Sequence, residues 1–93
     1  MDIHNETQQK IVQTCDFIKN FLLEKNASYG SSVTDPIQIF SKLDAENGIR
    51  QRIDDKLSRL KRGHALSTES MDDTIIDLIG YLIMLLIVRK NTI

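Results

Sequence analysis

Apolar residues recur at helical intervals through three stretches of the chain, with polar residues filling the positions between them. Ile11, Cys15, Ile18 and Leu22 follow one another at spacings of four, three and four, with Phe21 beside them and Gln8, Gln9, Gln13 and Asn20 on the other side. This spacing predicts a first helix from about Glu6 to Lys25, in which Cys15 is a small core residue. The small polar run from Asn26 to Ser32, containing Gly30, predicts a loop. Asp35 and Pro36 then form a helix start, Asp35 as the cap and Pro36 at the first helical position.

The second apolar series is Ile39, Phe40, Leu43, Ile49, Ile53, Leu57 and Leu60, which predicts a helical region from Pro36 to about Lys61. Asn47-Gly48 is its weak point, so a short helix to about Glu46 followed by a longer one from about Gly48 is an equal alternative. Gly63 closes the region, and His64 to Thr68 form a linker. Ser70, with Asp73 three residues later, is a capping-box-like start for a last helix from about Met71 to Lys90. Arg89 and Lys90 sit at its negative end. The expected fold is all-α, a small bundle of three to four helices forming one domain over residues 1–93.

Size and composition change this picture in one respect. A chain of 93 residues and 10.7 kDa, 41% hydrophobic but without Trp, buries too little surface alone for a substantial core. A homo-oligomer that completes the core is therefore expected. Disordered and low-complexity classes are excluded by the same composition. Ile75 to Val88 is strongly apolar, yet with Asp77 inside it falls short of the ~20 residues needed to span a bilayer, so no membrane partner is expected. The charged first twenty residues do not resemble a signal peptide, and Cys15 is the single cysteine. Both fit a cytoplasmic protein.

The net charge of -1 hides a segregation. Residues 50–63 carry six basic and two acidic side chains, whereas the segments on either side are net acidic. Binding to duplex nucleic acid needs a broad basic surface, so this short cluster points to a small phosphorylated ligand instead. At ~100° per residue, Arg52, Lys56 and Arg59 form one stripe bordering the seam of Ile49, Ile53, Leu57 and Leu60. The stripe is either a solvated face whose stems snorkel over the seam or a phosphate cradle. On the last helix the same geometry places Asp73, Asp77 and Tyr81 on one face. Asp77, among Ile75, Ile76, Leu78 and Ile79, needs a partner: a basic residue of the second helix, or a divalent cation. Asp73 has a second role open to it, at the helix N-terminus. His4 and His64 lack catalytic company, Ser31 and Ser32 lack the lysine of a P-loop, and Met84 is a core residue.

Tyr29-Gly30, Ile49-Arg-Gln-Arg-Ile-Asp-Asp-Lys-Leu-Ser-Arg-Leu60 and Met71-Asp-Asp-Thr-Ile-Ile-Asp-Leu-Ile-Gly-Tyr81 carry a family pattern. Across roughly residues 25–88 the chain resembles the phage and bacterial "nucleotide modification associated domain 1" family, which is distantly similar to the all-α MazG-like nucleotide pyrophosphatases. The resemblance implies an oligomeric helical fold and a nucleotide ligand, with Tyr29, Arg52, Lys56, Arg59, Asp73, Asp77 and Tyr81 as ligand-binding residues. MazG-like enzymes hold magnesium with Glu-x-x-Glu on one helix and Glu-x-x-Asp on the next. Here neither Glu24 nor Glu46 has a Glu three positions away, and Glu69-Ser-Met-Asp72 straddles a helix start.

The expected function is therefore binding and sequestration of a nucleotide, such as a cyclic nucleotide immune second messenger, at an oligomer cleft. It requires no catalytic residue and no cofactor. The alternative is a Mg2+-dependent nucleoside triphosphate pyrophosphatase with Asp73 and Asp77 as metal ligands. A third reading is a structural or protein-binding oligomer whose charges are interhelical pairs.

Overall fold

The computed structural model describes residues 5–30, 34, 44–63 and 70–89. These hold three helices, α1 (Glu6–Tyr29), α2 (Ala45–Arg62) and α3 (Met71–Val88), and no strand. The fold is all-α, as the periodicity predicts. Asp35, Pro36, Ile39, Phe40 and Leu43 of the expected second region lie outside the described residues. So do the linker His64 to Thr68, His4, Ser31, Ser32, Glu69 and Lys90.

The chain divides into two units, residues 1–30 and residues 31–93. In the first, α1 begins with a reciprocal capping box: Asn5 Oδ1 accepts from the Gln8 amide at 2.7 Å, and Gln8 Oε1 accepts from the Asn5 amide at 3.0 Å. The helix does not stop at Lys25. It runs through Asn26, Ala27 and Ser28 to Gly30, where φ is +68° and the Gly30 amide donates to the Asn26 carbonyl at 2.7 Å. Asn26 Nδ2 also donates to the Gly30 carbonyl at 2.9 Å. Small polar residues tolerate a helix, and the chain leaves it only where glycine permits a positive φ.

Ile18 is buried and Phe21 and Leu22 are half-buried, but Ile11 and Cys15 are exposed. The placement of Cys15 in the core is thus corrected. Among the described residues, the unit formed by residues 1–30 holds no second helix to cover the whole stripe.

In the second unit, α2 starts at Asp44, whose carboxylate accepts from the Asn47 amide at 2.8 Å. The Gly48 amide donates to the Asp44 carbonyl at 2.9 Å. Neither expected arrangement is found: Asp44 is extended (φ -76°, ψ 174°) and caps a helix that begins at Ala45, so Asn47-Gly48 lies in the first turn and not at a break. A cap is worth about 1 kcal/mol, which offsets the similar cost of a helical glycine. Gly63, with φ of +80°, ends α2 as expected.

Ser70 caps α3, its Oγ accepting from the Asp73 amide at 3.0 Å, and Arg89 follows the last helical residue, Val88. The buried Thr74 satisfies its hydroxyl on the Ser70 carbonyl at 3.2 Å. α2 and α3 pack as an antiparallel pair, since early α2 residues meet late α3 residues and the reverse. Ile49, 1% exposed, and the buried Gly80 lie in this pair, with Ile53, Leu60 and Met84 half-buried. Leu57, expected in the seam, is instead exposed at its edge.

Replacing Ser70 by Ala removes the side-chain acceptor that meets the Asp73 amide at the α3 N-terminus. The expected loss is about 1 kcal/mol of unfolding free energy by urea titration, with Ser70→Asp retaining the wild-type value.

Candidate functional site

The α2–α3 seam carries two cross-helix polar contacts one turn apart. Lys56 Nζ lies 3.0 Å from Asp77 Oδ2, and the two side chains keep only 13% and 21% of their exposure. A carboxylate so far withdrawn from water, among aliphatic neighbours, is costly unless a cation meets it, and Lys56 does. One turn earlier on α2, Arg52 reaches Tyr81. Its Nη1 donates to the Tyr81 hydroxyl at 3.4 Å, a long bond, while the guanidinium carbon sits 5.8 Å from the ring centroid. That is within the range of a cation–π contact.

The two contacts differ in electrostatic outcome. Lys56 and Asp77 cancel one another. Arg52 is exposed and meets a neutral phenol, and among the described residues no carboxylate is in ion-pair reach of it. Its charge is therefore uncompensated at the edge of the seam, with an aromatic face beneath it. Arg59, a further two turns along the stripe from Arg52, is half-buried and engaged by a partner.

At the opposite end of the hairpin, Glu46 Oε2 holds two cations, Arg50 Nη2 at 3.0 Å and Arg89 Nη1 at 3.2 Å. The Glu46–Arg50 pair has the i, i+4 spacing of a helical ion pair and was legible in the sequence. The reach to Arg89 becomes visible only when the helices are paired.

Of the seven residues expected at the site, the structure brings together Arg52 with Tyr81 and Lys56 with Asp77. Asp73 lies exposed at the α3 N-terminus, where its amide completes the Ser70 cap. Tyr29 ends α1 in the other unit, and its side chain is outside the described residues. Among the described residues, no group of three His, Cys, Asp or Glu side chains is placed to hold a metal ion. The Lys56 ammonium meets the Asp77 carboxylate at Oδ2. No described helix is long and apolar enough to cross a membrane.

Comparison of the chain with protein-family models, with curated proteins and with solved structures gives no match.

A double-mutant cycle measures the seam contact. Lys56→Met alone and Asp77→Leu alone each remove the ion pair and lower stability, whereas the two together restore much of the loss. The expected coupling energy is on the order of 1–3 kcal/mol by chemical denaturation. Strictly additive effects would show that the pair is not a packing determinant.

Proposed function

We propose that this chain is a small helical, homo-oligomeric protein that binds a nucleotide and sequesters it intact. The observation that carries the reading is the Arg52–Tyr81 pair. An exposed guanidinium with no carboxylate partner among the described residues is a ready donor for phosphate, which it meets with two parallel N–H groups. The tyrosine ring beside it offers a face to a base, and such stacking tolerates different bases. The net positive segment 50–63 adds long-range attraction for a polyanionic ligand.

Lys56 holds Asp77 and thereby fixes the α2–α3 register, so its part in binding is to position Arg52 against Tyr81. The family resemblance supports the same ligand class, including cyclic oligonucleotides and cyclic ADP-ribose isomers that serve as immune messengers in infected bacteria. Catalysis by a magnesium pair at Asp73 and Asp77 gains nothing from this arrangement, because the inner carboxylate is already neutralised.

The Lys56–Asp77 ion pair favours a second reading, in which the charges serve hairpin packing alone and the protein has no nucleotide affinity. Equilibrium dialysis against ATP, cyclic dinucleotides and cyclic ADP-ribose isomers separates the two. Arg52→Ala is expected to weaken binding by about 10- to 100-fold, the equivalent of one charge-assisted hydrogen-bond set, with helicity unchanged by circular dichroism. Lys61→Ala, an exposed cation elsewhere on α2, is the control and leaves affinity within about twofold. Equal affinity of wild type and Arg52→Ala would remove the arginine from the site. No affinity for any nucleotide in the wild type would leave the packing reading.

A further inference from the structure

The side of α3 turned away from α2 is aliphatic along its length. Ile75, Ile79, Leu82 and Leu86 follow one another at spacings of four, three and four, the spacing of a coiled-coil seam. Ile79 is half-buried; Ile75, Leu82 and Leu86 are exposed, the last two at 46% and 49%. On a helical wheel this stripe lies on the far side from Asp77, which faces Lys56 of α2. The α2–α3 packing therefore leaves it unused.

The ends of the stripe carry opposite charges. Asp72 flanks it in the first turn, exposed and with no ion-pair partner among the described residues. Arg89 flanks it just past the last turn, half-exposed, with its Nη1 on Glu46 and further guanidinium donors available.

We propose that this face seats a second copy of the chain, the two α3 helices packing side by side and antiparallel about a twofold axis. α3 presents to its copy an apolar seam of equal length and 4-3-4 spacing, and what distinguishes it from the α1 stripe of the same spacing is the pair of opposite charges at its two ends. Charge decides the direction. In an antiparallel pair, Asp72 of each copy lies beside Arg89 of the other. In a parallel pair the two aspartates meet at one end and the two arginines at the other, which is unfavourable at both. The register that pairs Asp72 with Arg89 also pairs Ile75 with Leu86 and Ile79 with Leu82, so charges and seam layers agree on one alignment. This interface does not depend on the nucleotide-binding reading.

Disulfide trapping in a Cys15→Ser background tests the geometry. At ~1.5 Å per residue, the two copies of residue 75 lie about 16 Å apart along an antiparallel pair, too far for a disulfide. Ile75→Cys alone and Leu86→Cys alone are therefore expected to stay uncrosslinked on mild oxidation. An equimolar mixture of the two, exchanged under reductant before oxidation, is expected to form a covalent dimer. Efficient self-crosslinking of Ile75→Cys would mean a parallel pair and overturn the proposal.

Light scattering of the unmodified chain across concentrations supplies the second readout. A dimer or larger assembly that dissociates in Leu82→Glu, with helicity retained, supports the interface. A monomer at every concentration would overturn it.

Discussion

The Lys56–Asp77 ion pair is the contact on which the described hairpin turns. A carboxylate carried on an apolar helix can leave water only if a cation meets it, and the ammonium that does so sits on a helix of the opposite polarity. Once those two atoms are 3.0 Å apart, the register of α2 against α3 is set. Arg52 then lies against Tyr81, and Glu46 lies at the end of α3 within reach of Arg89. Three polar contacts thus share one alignment, with Ile49 and Thr74 buried in the same unit.

That alignment separates two kinds of cation. A lysine engaged in packing is a poor ligand for phosphate, because turning to an anion would break its 3.0 Å contact with the Asp77 carboxylate. An arginine resting on a phenol ring loses little when it turns to an anion, since its existing partner is neutral and the hydrogen bond is long. The same seam therefore supplies rigidity at Lys56 and available charge at Arg52. Its small size also leaves apolar surface over: α1 exposes Ile11, Phe17 and Leu23, and α3 exposes its outer stripe. Such exposed apolar residues follow from the small size of the chain, which covers only part of its apolar surface.

Much of the fold was legible from periodicity and punctuation. Ser70, Gly63 and the apolar spacing of the last helix located real boundaries, because each acts through chemistry within one turn. Asn26 to Tyr29 misled, since composition there suits a loop equally well and only the positive φ at Gly30 ends the helix. Asn47-Gly48 pointed to a helix start that lies a few residues earlier, at the Asp44 cap, which offsets the glycine's cost inside the first turn. Cys15 and Leu57 show a third limit. A helical wheel says which residues share a face, while burial depends on whether another element covers it. The wheel put Arg52, Lys56 and Arg59 on one stripe but could not distinguish Lys56, paired with Asp77 across the seam, from Arg52, which meets no carboxylate among the described residues. That difference arises from the partner helix.

Chemical fate of the ligand separates sequestration most directly from every alternative. Purified protein would be incubated with a mixed pool of nucleoside triphosphates, cyclic oligonucleotides and cyclic ADP-ribose isomers in the presence of magnesium. The free small molecules would be analysed by mass spectrometry before and after heat denaturation. Sequestration predicts depletion of one species and its recovery intact on heating. Appearance of nucleoside monophosphate and pyrophosphate, or a pool unchanged throughout, would contradict it.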